Sequence, residues 1–130
     1  MSAAVRYYSK SGNTKAVADA IAEAAGVTAV SVDGQDAGIP EPVDVLFVGG
    51  AVYAYGIDRR LKEYLKTLRK GDAKRAVVFS TSWVSKHAIS LIKKGLEDAG
   101  IPVVDDAFYV RNRPSDEQRK EAGAFAKKYL

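Results

Sequence analysis

The chain has 130 residues, enough for one domain with a buried core; 47% of them are hydrophobic, 28% are charged, and the net charge is +4. With no Cys and a single His, it has no thiol nucleophile, disulfide, thiolate cluster or multi-His metal centre, so any redox chemistry needs a borrowed cofactor. No apolar run reaches membrane-spanning length, and the opening MSAAVRYY has neither the basic region nor the long apolar stretch of a signal peptide, so a cytoplasmic protein without a membrane partner is expected.

Ala3, Ala4, Val5, Tyr7 and Tyr8 form a short β-prone segment. From about Thr14 the small and apolar residues Ala16, Val17, Ala20, Ile21 and Ala24 recur at helical spacing. The loop between them, Ser9-Lys10-Ser11-Gly12-Asn13-Thr14, is dense in short hydroxyl and amide side chains around a glycine. A new helix starts there, and its unpaired N–H groups and positive dipole end favour an anion such as phosphate. Ser, Thr and Asn are also ordinary N-cap residues and Gly an ordinary turn residue. Neither G-x-x-x-x-G-K-[ST] nor G-x-G-x-x-G is present, which argues against a nucleoside triphosphatase or a dinucleotide-binding domain.

Gly26 reads as the helix stop and Val27 to Val32 as a second strand. Asp33 to Pro42, with Gly34, Gly38, Pro40 and Pro42, is too short and too broken for a full crossover helix. Asp44 to Val48 is a continuous apolar strand closed by Gly49-Gly50. A loop to Gly56 follows, then a helix over about Ile57 to Leu68 with Leu61, Tyr64, Leu65 and Leu68 on one face. Eight Lys or Arg against three acids lie between Ile57 and Arg75; a solvated helix face is the plainer reading, a docking surface the alternative. Nucleic acid is disfavoured, because aromatic residues do not interleave with these cations.

Ala76 to Thr81 is the fourth strand and opens into Ser82-Trp83. Ser85 is a candidate cap for a helix running to Ala99, with Ala88, Ile89, Ile92 and Leu96 on its buried face and Gly100 beyond. A fifth strand lies within Ile101 to Val110, Arg111 to Pro114 is a polar turn, and Ser115 with Gln118 reads as a capping box for a last helix through Tyr129. The alternation predicts one α/β domain over residues 1–130: a doubly wound, three-layer sandwich with a five-stranded parallel sheet and a shortened second crossover helix. With strand order 2-1-3-4-5, the loops after strands one, three and four meet at one crevice. An anion site beside aromatic walls describes a nucleotide-like planar ligand.

YYSKSGNTKAVADAIAE resembles the phosphate loop and first helix of flavodoxins, whose S/T-x-S/T-G-x-T signature holds the phosphate of FMN. VDVLFVGGAVYAYGIDRRLKEYLKTL and VVFSTSWVSKHAISLIKKGLEDAGIPVV are similar to the two flavin-flanking strand, loop and helix units of short flavodoxin-like proteins. The resemblance implies FMN as cofactor, with Ser9, Lys10, Ser11, Gly12, Asn13 and Thr14 around its phosphate, Lys10 through its backbone amide. It implies that the turn Ala51, Val52, Tyr53, Ala54, Tyr55, Gly56 flanks one side of the isoalloxazine, with Tyr53 or Tyr55 stacking on it. Trp83 with Ser80, Thr81 and Ser82 would wall the other side. Either Tyr has the competing role of plugging the core, and Trp83 that of packing under its own helix. His87 reads as a helix-surface residue.

The implied function is electron transfer on a non-covalent flavin, between a reductase and an acceptor protein or to a small-molecule acceptor. The alternative is an FMN-dependent oxidoreductase of the same fold, similar to quinone-reducing or protoporphyrinogen-oxidising flavodoxin-like proteins. A receiver domain would need acidic residues where this chain has Tyr8, Ser9 and Gly49; a cofactor-free interaction module is the remaining competitor. The flavin loops lack the acidic character common in flavodoxins, and the net charge has the opposite sign. Less negative surroundings make the second reduction of a bound flavin easier.

Overall fold

The computed structural model describes residues 2–53, 56–82 and 86–130, the backbone alone at 52 and 53. Five parallel strands form the main sheet: β1 (Ala3–Tyr7), β2 (Ala29–Ser31), β3 (Val43–Gly50), β6 (Ala73–Thr81) and β7 (Val103–Val110). Their spatial order is β2-β1-β3-β6-β7, which is 2-1-3-4-5 when only these strands are counted. An antiparallel pair, β4 (Val52–Tyr53) and β5 (Gly56–Ile57), interrupts the connection after β3. The sequence signals only a loop there, because strands of two residues have no periodicity to read.

Helices α1 (Asn13–Ala25) and α4 (Asp116–Lys127) cover one face, while α2 (Arg59–Thr67) and α3 (His87–Asp98) cover the other. Strand alternation sorts the core: Val5, Tyr7, Val45, Phe47, Val77 and Phe79 meet α1 and α4, while Leu46, Val48 and Val78 meet Leu61, Leu65, Ile92 and Leu96. Phe47 and Phe79 are wholly buried, and each contributes about 1.5–3 kcal/mol by leaving water. Gly49 and Gly50 belong to β3, and packing requires them. A Cβ on Gly49 would lie 2.0 Å from the Phe79 ring, and one on Gly50 would lie 2.4 Å from Leu61.

Local signals set the helix ends. Gly26 takes the left-handed conformation at φ 72° after α1, Asp58 accepts from the Arg60 amide at the start of α2, and Ser115 and Gln118 form the expected capping box on α4. Helix α3 begins at His87 with Lys86 in the cap position; the expected cap, Ser85, lies outside the described residues.

Residues 32–42 contain turns and no helix, so the second crossover helix is shortened to nothing. Two polar side chains hold this segment instead. Arg6, 8% exposed on β1, donates from Nε to the Ala37 carbonyl (2.8 Å), from Nη1 to that of Val5 (3.1 Å) and from Nη2 to that of Gly38 (3.1 Å). The Tyr64 hydroxyl donates to the same Ala37 oxygen at 2.7 Å. Carbonyls that a helix would have paired internally are thereby satisfied from the sheet and from α2.

Candidate functional site

The phosphate-loop candidates lie between β1 and α1. Gly12 occupies the cap position at φ 94°, with no atom within 4 Å of where a Cβ would stand, so the backbone is open to close approach. The Ser9 hydroxyl accepts from the Gly12 amide at 2.9 Å, and that of Ser11 from the Asn13 amide at 3.5 Å. In both, the oxygen is the acceptor, which leaves the hydroxyl proton available for a further partner. Lys10 and Ser11 are exposed.

No side chain caps α1, and its first turn holds no acid. By contrast, α4 carries a Ser115 cap with Asp116 and Glu117 behind it. Among the described residues, the positive end of α1 thus has no acidic side chain in its first turn to compensate it. Lys15 pairs with Asp19 at 2.8 Å, and that hydrogen bond pushes the ammonium pKa up.

Thr14 joins the first loop to the third. Its hydroxyl lies 2.6 Å from that of Thr81, and both residues are buried. One hydroxyl donates within this pair and the other keeps its proton. Ser80 is fully buried and donates to the Gly50 carbonyl at 2.7 Å, so its side chain ties β6 to the end of β3. Ser82 is anchored through its backbone: its amide donates to Val110, and its carbonyl accepts from the Asn112 amide (3.2 Å) and the Tyr109 hydroxyl (2.9 Å).

The ends of β1, β3 and β6 therefore converge as the strand order demands. Tyr8 closes the first loop onto the second, its amide donating to Gly49 and its hydroxyl accepting from Arg60 at 2.8 Å. The Arg60 guanidinium also stands 5.3 Å from the centre of the Tyr8 ring, within cation–π range. Ala51 is partly exposed just after β3, and Gly56 is in β5. The side chains of Val52 and Tyr53, and all of Ala54, Tyr55 and Trp83, lie outside the described residues, so the ring-stacking expectations fall there. His87 is exposed at the start of α3.

The turn after β7, absent from the sequence-level site, joins it here. Asn13 donates from Nδ2 to Asn112 Oδ1 at 3.3 Å, and Asn112 adopts φ 64°, a conformation Asn tolerates. Arg111 and Arg113 flank it and are exposed. Strand order holds the missing signal: β7 borders β6, so its C-terminal turn opens at the same sheet edge. Among the described residues no cluster of His, Cys, Asp and Glu is arranged for a metal ion, and no helix is long and apolar enough to cross a membrane.

A family model described as a flavodoxin domain matches residues 4–111. No curated protein matches the sequence. Among solved structures, an archaeal flavodoxin is 23% identical with a TM-score of 0.79, over 99% of this chain and 96% of that one. Flavodoxin 2 of Bacillus cereus is 19% identical at a TM-score of 0.82, over 99% and 97%. The rubredoxin oxygen:oxidoreductase of Desulfovibrio gigas aligns at 16% identity and a TM-score of 0.80, over 98% of this chain and 34% of that one.

Proposed function

The chain belongs to the flavodoxin family, and on that premise we propose that it binds FMN without a covalent link and carries electrons between a reductase and an acceptor protein in the cytoplasm. One observation supports this most directly: the uncapped, acid-free start of α1, ringed by Ser9, Ser11 and Asn13, is tied by the Thr14–Thr81 hydroxyl contact to the end of β6. Hydroxyl protons, backbone amides and a helix dipole converging on one open glycine suit a phosphate dianion.

In this reading Ser9, Ser11, Asn13 and Thr14 hold the phosphate with the amide of Lys10, and Gly12 leaves the backbone open to its approach. Residues 51–56 and 80–83 border the ring system. FMN would supply the one- and two-electron chemistry; the chain's own residues bind, orient and set the local charge. Asn112 fixes Asn13 from the far side, and Arg60 holds Tyr8 between the first two loops. These contacts pre-organise the loops, which limits the ordering cost of binding.

The test is reconstitution. Titration of the flavin-free protein with FMN should quench flavin fluorescence to a saturable end point, and riboflavin, which lacks the phosphate, should bind far more weakly. Equal affinity for the two flavins would remove the phosphate assignment. The electron-carrier reading has a separate check, since the FMN-loaded protein should need an added reductase; unaided turnover of NAD(P)H with a quinone would overturn it in favour of an oxidoreductase.

A further inference from the structure

A groove of about 660 Å³ runs between α2 and α3 and meets the candidate cofactor loops only at Gly56. Its floor is apolar, made by Leu65 and Leu68 from the α2 side, Leu91 from α3 and Ile57 from β5. The two helices make close contact at Gly95, where an added Cβ would stand 2.8 Å from Leu65. A glycine inside a helix costs about 1 kcal/mol relative to Ala, and here it keeps that side of the groove free of a side chain. The volume lies in the range of small-molecule sites.

The rim is cationic. Lys62 and Lys66 stand one turn apart on α2, both exposed, and among the described residues neither is in an ion pair. Lys94 faces them from α3, paired with Asp98 at 3.6 Å. Three ammonium groups against one carboxylate leave the groove with an excess of two positive charges. Like charges spaced i, i+4 destabilise a helix slightly, and an anion between them reverses that cost. Lining residues come from before the start of α2 (Ile57) and from just beyond its end (Leu68), so the groove extends along the nine-residue helix, about 14 Å. That is about the reach of an extended ten-carbon chain with its head group.

We propose that this groove is a binding site for an amphipathic carboxylate, its apolar chain on Leu65, Leu68 and Leu91 and its carboxylate between Lys62 and Lys66. The site is built from α2, α3, the residues just beyond their ends and β5, whose Gly56 is the one lining residue it shares with the proposed flavin border.

The experiment is calorimetric titration of the full chain with decanoate and with decyltrimethylammonium, which has a like chain and the opposite charge. Decanoate should bind saturably and at least about tenfold more tightly than the cation, with methyl resonances of Leu65 and Leu91 shifting in step. In a Lys62→Glu/Lys66→Glu variant, whose changes lie on an exposed helix face, decanoate affinity should fall at least about tenfold. Equal affinity of the two amphiphiles, no binding of decanoate, or unchanged decanoate affinity in the charge-reversed variant would each overturn the assignment.

Discussion

Asn13→Asp separates an anion site from an ordinary helix start, because the two readings predict effects of opposite sign. Asn13 is the first residue of α1, and its side chain meets Asn112 at 3.3 Å. The new carboxylate is isosteric, and rotation of the Asn112 amide supplies the donor it needs. In the flavin-free protein, a negative charge at an acid-free helix start should stabilise the fold by about 0.3–1 kcal/mol. With FMN bound, a phosphate about 6 Å from this carboxylate would be repelled by it. At an effective dielectric of about 20, each unit of phosphate charge then costs roughly 3 kcal/mol, or about a hundredfold in affinity, before salt reduces it. Fluorescence-quenching titration reads the affinity, and thermal melting without FMN reads the stability. FMN affinity within about threefold of the parent, in a variant that melts no lower, would refute the phosphate assignment.

Arg6→Met should cost about 3 kcal/mol in urea unfolding, because buried carbonyls at Val5, Ala37 and Gly38 lose charged donors. Amide exchange should accelerate through residues 33–42 but not in β6. Asp44 sits below the usual carboxylate range because the Ser2 amide donates to it and Lys74 lies 3.0 Å away. A carboxyl held low in the folded state stabilises it above the ordinary carboxylate pKa of about 3.9 and loses that contribution as pH falls through the folded value. Asp44→Asn should therefore lower the melting temperature at pH 7 and flatten its decline below about pH 4, as melts across that range would register. Arg60→Gln removes a cation held against Tyr8. If that charge lies about 10 Å from bound flavin at an effective dielectric near 20, it is worth about 1.7 kcal/mol, or roughly 70 mV. Reductive titration at low salt should show the second reduction potential shifted down by up to this amount, with a smaller shift at high salt; no shift at either ionic strength would exclude Arg60 as a determinant of potential.

The elements readable from the sequence are those whose signal is local. The apolar run of β3, the 3.6-residue stripe of α2 and the Ser115–Gln118 box each need only neighbours in sequence, and each stands in the structure where its pattern implies. Of the eight cations between Ile57 and Arg75, all but the half-buried Arg75 are exposed, which the solvated-face and docking-surface readings both require. The candidate anion loop is legible for the same reason, since its hydroxyl and amide side chains and the helix start beside it occupy six consecutive residues. What could not be read depends on pairs far apart in the chain. Asn112 enters the site only because β7 lies beside β6, 99 residues after Asn13. Gly49 and Gly50 look like turn glycines, yet they are set by the bulk of Phe79 and Leu61 against the strand.

Arg6 shows how the missing crossover helix and the site are linked. Alternation along β1 puts Ala4, Arg6 and Tyr8 on the face toward α2, with Val5 and Tyr7 on the face toward α1. Arg6 meets the irregular segment at Ala37 and Gly38, and Tyr8 meets Arg60 two residues further on. A charged residue within an apolar strand reads as a defect until the fate of the following segment is known. Here it supplies donors to carbonyls that lost their helix, at one backbone carbonyl shared with Tyr64 from α2. The strand that leads into the candidate loop is thus braced on this face by hydrogen bonds to an irregular segment in place of a helix. Loosening Arg6 should therefore reach Ser9 and Gly12 through β1 as well as the crossover, so FMN affinity should fall in Arg6→Met even though no atom of Arg6 borders the loop.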